Sequence, residues 1–123
     1  MPTKQTTTTF PINLAVLMGT VTSPLVSREL PDGTVMSTFD ISTHLMAGRV
    51  SVPVSIEGEP SVVLVGSDVC VTGYVRRRFF RSGSAVTSRT EVVAHNVIPM
   101  RRMAQVRKTV ERDLQDLLEI LDR

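Results

Sequence analysis

The sequence predicts a mainly β domain, a small barrel or sandwich of short strands, followed by one amphipathic helix. Three observations carry this. Valine-rich stretches recur between residues 12 and 99, turn residues separate them, and beyond Pro99 the apolar spacing changes to three and four. A chain of 123 residues holds one domain, or one domain and an appended element, but not two independent cores. Hydrophobic residues at 41% and charged residues at 21% are ordinary for a folded protein. With aromatics at only 4% and no Trp, Val, Leu and Ile must supply the packing, which favours a Val-rich sheet.

Residues 1–11 are threonine-rich and lack hydrophobic periodicity, so they are expected to form a flexible arm. Residues 12–22, INLAVLMGTVT, are apolar on both parities, as in a strand buried on both sides, with Gly19 marking a bulge or bend and room to continue beyond Pro24. Pro31-Asp32-Gly33-Thr34 is a turn: Pro presets φ, Asp caps locally and Gly takes the positive angle. Residues 35–42 follow as a half-buried strand with Val35, Ser37, Phe39 and Ile41 on one parity. Val50, Val52, Val54 and Ile56 define a third strand, in which Pro53 removes one ladder donor. Residues 58–68 carry Gly, Pro and a short apolar run, and read as irregular. A fourth strand is expected over 69–80, a hairpin loop over 81–87 and a fifth strand over 89–98.

Residues 100–123 contain no Gly or Pro, and Met103, Val106, Val110, Leu114, Leu117 and Leu121 recur at helical spacing. This is the candidate surface for packing on the barrel or on another subunit, since the same spacing approximates a short coiled-coil seam. Arg101, Arg102, Arg107 and Lys108 fall in its first half, and Asp113, Asp116, Glu119 and Asp122 in its second. That order opposes the helix dipole, so the helix is expected to depend on packing.

The fourth strand is the richest in chemistry. Tyr74, Arg76, Arg78 and Phe80 share one parity, an order of aromatic, cation, cation, aromatic that suits single-stranded nucleic acid: stacking platforms beside phosphate-neutralising arginines. Arg49, Arg77, Arg81 and Arg89 complete the candidate set, so a net charge of only +2 conceals a concentrated patch. The alternative is an edge-protecting charge run, with Tyr74 and Phe80 closing the core.

Enzymatic readings find no support. His44 and His95 lack neighbouring ligands at metal spacing, and the lone Cys70 alternates with core residues and has no CxxC partner. No nucleophile elbow, phosphate loop or acid pair is present, so neither catalysis nor a cofactor is expected. One cysteine, no membrane-length apolar run and a polar N-terminus point to a cytoplasmic protein without a membrane partner.

Over residues 13–99 the chain resembles the bacterial single-stranded DNA-binding proteins. The resemblance lies in Asn13-Leu14-Ala15-Val16-Leu17-Met18-Gly19, Pro31-Asp32-Gly33-Thr34, Phe39-Asp40-Ile41-Ser42-Thr43, the stretch Val69 through Phe80, and Thr90-Glu91-Val92-Val93-Ala94. VRRRFFR and SRTEVVA are most similar to divergent second copies found in actinobacteria. The resemblance implies a five-stranded OB-fold barrel over 12–99, usually assembled as a homotetramer, that binds single-stranded DNA without sequence preference in replication, recombination and repair, while the C-terminal helix leaves a homodimer equally open. It places Phe80 at a base-stacking position and Arg76 and Arg78 at basic ones. Three departures accompany it: few aromatics near the third strand, a shortened 58–68 segment without the helix that covers the barrel end, and a helix where the family carries an acidic-tipped tail. Stacking is therefore expected to be weak, and recruitment of replication or repair proteins through a tail does not follow. The alternative function is an OB-fold oligomeric adaptor with little nucleic-acid affinity, acting through its C-terminal helix.

Overall fold

The computed structural model describes residues 12–123; the expected arm at 1–11 lies outside them. Its elements are β1 (Ala15–Val21), β2 (Val26–Glu29), β3 (Val35–Leu45), β4 (Gly48–Glu57), β5 (Asp68–Ser82), β6 (Ala85–Pro99) and α1 (Met103–Leu121). The sheet order is β1-β5-β6-β4-β3-β2, and β1 also pairs with β3. That last pairing closes five strands into a ring, β1-β3-β4-β6-β5, in which β4 and β6 run parallel and the other pairs antiparallel. This is an OB-fold barrel.

Alternation explains the interior. Phe39 and Ile41 on β3, Val54 and Ile56 on β4, Val69 and Val71 on β5, and Val92 and Ala94 on β6 form one core with Val21. Each such valine or isoleucine contributes about 1.5 to 3 kcal/mol when fully buried. Residues 58–67 are irregular, as expected, yet the barrel end is filled: Val63 drops into the core. The Gly66 N–H donates to the Val21 carbonyl at 2.8 Å and the Val21 N–H to Ser67 at 2.9 Å, tying this segment to β1.

The first strand does not run on unbroken. Thr20 and Val21 pair with Ser42 and Ile41, but Val26 pairs with Thr38, so two extra residues are absorbed between Val21 and Val26. Pro24 has no N–H to offer the ladder, and the Ser23 hydroxyl instead accepts the Asp40 N–H at 2.8 Å. A second irregularity sits in the β5–β6 pair. Thr72 opposes Asn96 while Gly73 opposes Ala94, leaving His95 unmatched as a bulge. Any Cβ at position 73 would fall on the Val93 carbonyl, which is why glycine stands there.

Helix α1 begins later than the spacing predicts, because residues 100–102 form a turn with the Arg102 N–H on the Pro99 carbonyl. It covers the outer face of β5 and β6, where Val106 packs with Cys70 and Ile98, flanked by Val16, Met100 and Val110. The predicted apolar stripe is split. Val106 is buried and Val110 and Leu117 are half-buried, but Met103, Leu114 and Leu121 are exposed. A straight helix meets a convex barrel along a narrow line, and the apolar arc is wider than that line. Among the described residues, no helix is long and apolar enough to cross a membrane.

Candidate nucleic-acid interface

Strands β5 and β6 outrun the barrel. The expected loop over 81–87 is instead strand on both sides, closed by a two-residue turn with Ser82 paired to Ala85. Gly83 at φ 65° in the first central position, with no positive φ at Ser84, fits a type II′ turn, whose twist matches that of the flanking strands. With no β-branched core to fill there, the polar Ser-Gly-Ser tip needs only ladder hydrogen bonds.

Strand parity gives this hairpin two faces. One carries Arg76 opposite Glu91, Arg78 opposite Arg89, and Phe80 opposite Thr87; the other carries Arg77 opposite Thr90, Phe79 opposite Ser88, and Arg81 opposite Val86. On the first face, the buried Glu91 carboxylate accepts from Arg76 Nη2 at 2.6 Å and Nε at 3.2 Å. Arg76 is therefore already neutralised. Arg78 and Arg89 are like charges directly across the ladder, an arrangement that costs stability. Asp40 on β3 accepts from Arg89 at 3.2 Å and offsets part of it. Among the described residues, Arg28, Arg77, Arg78 and Arg81 make no ion pair with a carboxylate.

Two adjoining hollows run between this face and β2–β3. One is lined by Val26, Arg28, Met36, Thr38 and Arg78; the other by Ser23, Pro24, Val26, Thr38, Phe39, Asp40 and Arg89. Val26 and Thr38 belong to both, so the two make one open groove with three arginines on its walls and Phe80, 41% exposed, on the same hairpin face. The exposure of Phe80, and of Phe79 at 66%, removes the reading in which Phe80 closes the core. Phe39 is the aromatic in that core.

The other expected residues are distributed more widely. Tyr74 is half-buried and tilted against His95 at 5.4 Å, about 20 Å along the strand from Phe80 at 3.3 Å per residue. Arg49 stands opposite His44 near the β3–β4 turn and lines neither hollow. Arg77 and Arg81 are exposed on the opposite hairpin face. Arg28 was not singled out by the sequence. The signal that finds it is the Arg28 to Met36 register, which sets β2 beside β3 after the break at Pro24. Among the described residues, no cluster of His, Cys, Asp and Glu is arranged to hold a metal ion.

The fold and this surface define an OB-fold barrel with a basic groove and an exposed aromatic. No protein-family model matches the chain, and no curated protein matches it either. Among solved structures, the chain is similar to the dimeric structure of the N-terminal domain of PriB protein from Thermoanaerobacter tencongensis. The two are 19% identical with a TM-score of 0.56, and the match covers 71% of this chain and 94% of that one. At that identity the likeness is one of fold.

Proposed function

We propose that the protein binds single-stranded DNA without reading its sequence, along the groove between β2–β3 and the β5–β6 hairpin. The observation that carries this is the facing pair Arg78 and Arg89 beside the exposed Phe80. Two cations held against each other are stabilised by a phosphate between them, and an adjacent ring gives a base its stacking surface. Arg28 continues the charge along the groove. The resemblance of the sequence to single-stranded DNA-binding proteins supports the same reading, as does the barrel itself. Its role would be to protect or organise single strands during replication, recombination and repair, as a homodimer or homotetramer; the solved structure it is similar to is itself dimeric.

The test is fluorescence anisotropy of labelled oligo-dT titrated with protein at two salt concentrations, since the chain has no Trp. Salt-sensitive binding that fails to appear with duplex of the same length is expected. Absence of binding at low salt would overturn the proposal. A parallel titration with oligo-rU separates a DNA preference from general single-strand binding.

A further inference from the structure

The half of the apolar arc on α1 that the barrel leaves uncovered is a leucine patch on the second half of the helix, with Met103 set apart from it by the exposed Arg107 on the same face. Met103, Leu114, Leu118 and Leu121 are each about half exposed, and at 100° per residue they lie within an arc of roughly 60°, with Val110 at its edge. Charge is sorted along the same helix and the residues that flank it. Arg101, Arg102, Arg107, Lys108 and Arg112 precede Asp113, with Glu111 the lone acid among them; Asp113, Asp116, Glu119 and Asp122 follow with no cation until Arg123. The first turn holds no acid, the last turn no base, and the N-terminus has no side-chain cap. Every one of these choices is unfavourable for a helix standing alone.

They become favourable beside an antiparallel copy. We propose that α1 is the contact between two copies of this chain, packed antiparallel about a two-fold axis near Arg112 through Met103, Leu114, Leu118 and Leu121. That symmetry sets the basic first half of each helix against the acidic second half of the other, and each N-terminus beside a C-terminal end rich in acids. Met103 of one copy meets Leu121 of the other, and Val110 meets Leu114. A parallel pair would stack like charge on like charge. An unrelated partner helix would need this same sorted pattern in reverse, which a second copy supplies by symmetry. The helix is about 28 Å long at 1.5 Å per residue, so the contact is smaller than a standard interface, and the dimer is expected to dissociate in the micromolar range. This inference does not rest on nucleic-acid binding.

The experiment is sedimentation velocity from about 1 to about 200 µM, the range in which so small an interface exchanges. The wild type is expected to gain mass with concentration, and the Leu114→Glu, Leu118→Glu double variant to lose that step while circular dichroism shows the fold retained. Two charge variants address orientation: Arg107→Glu with Lys108→Glu, and Glu119→Lys with Asp122→Lys. Each alone should weaken association at least tenfold, and an equal mixture should restore it, because the hybrid pair regains opposite charges at both ends. The proposal is overturned if the leucine variant keeps the wild-type mass at every concentration. It is equally overturned if the mixture associates no better than its parts.

Discussion

Arg76 and Arg78 are two positions apart on one strand face, and what stands opposite each gives them different work. Arg76 holds the carboxylate of Glu91, which is 4% exposed, whereas Arg78 faces Arg89 and the groove. Replacing Arg76 with Ala leaves a buried acceptor without its partner and should cost about 1 to 3 kcal/mol of stability, read as a lower urea midpoint. Arg78→Ala removes the like charge opposite Arg89, so it should raise that midpoint slightly rather than lower it, and reduce the slope of log affinity against log salt by about 0.7, the contribution of one phosphate contact on a single strand. Phe80→Ala should weaken oligo-dT binding by about 1 to 3 kcal/mol, roughly fivefold to more than a hundredfold, with the salt slope unchanged. Strand parity alone places Arg76, Arg78 and Phe80 on one face. It does not reveal their partners, because those depend on the length of the turn: with Ser82 paired to Ala85 the register runs unbroken back to Arg76 opposite Glu91, and the bulge at His95 shifts the pairing only on the barrel side. That register makes one of two arginines on the same face a structural cation and leaves the other on the groove, and the loop expected over 81–87 hides it.

At the scale of elements, β3 and β4 were legible from period-two alternation and the turn before β3 from Pro-Asp-Gly, and Gly83 marked a hairpin whose loop is two residues rather than 81–87, while β2 and the break before it depended on how Asp40 pairs across the sheet. Helix α1 was legible as an amphipathic helix, but spacing could not say which part of its arc meets the barrel. Cys70 reports on that docking, since it is fully buried beneath Val106. Burial pushes its thiol above the ordinary value, and the nearby Asp113 carboxylate adds to the rise. The folded state therefore favours the neutral thiol. Its contribution to stability is present below the unfolded thiol's value and is lost as pH climbs through the raised folded one. Native Cys70 should resist alkylation even in mildly alkaline buffer. Val106→Asp, which places a charge under the helix, should speed labelling by about tenfold or more by favouring local opening, with the rate of thiol modification as the measurement.

For the whole molecule, barrel closure and the projecting hairpin set the basic groove apart from the uncovered face of α1. The groove is built from β2, β3 and the β5–β6 hairpin, whereas the uncovered face of α1 belongs to a helix packed on the outer side of β5 and β6 at the Cys70 and Ile98 level. Tyr74 lies between these regions on β5, so dimerisation through α1 leaves Arg78, Arg89 and Phe80 open on each copy. A dimer then presents two grooves to one strand. An oligo-dT long enough to reach both should bind more tightly than a short one by about tenfold or more, because the second contact forms at high effective concentration. The Leu114→Glu, Leu118→Glu variant separates the contributions. It should bind short oligonucleotides as the wild type does and lose only the added affinity for long ones, measured by anisotropy at protein concentrations above and below the association midpoint. If short and long strands bind alike to the wild type where it is dimeric, the two grooves do not act on one strand. Arg78→Ala, in contrast, should weaken both lengths, since it acts within each groove rather than between them.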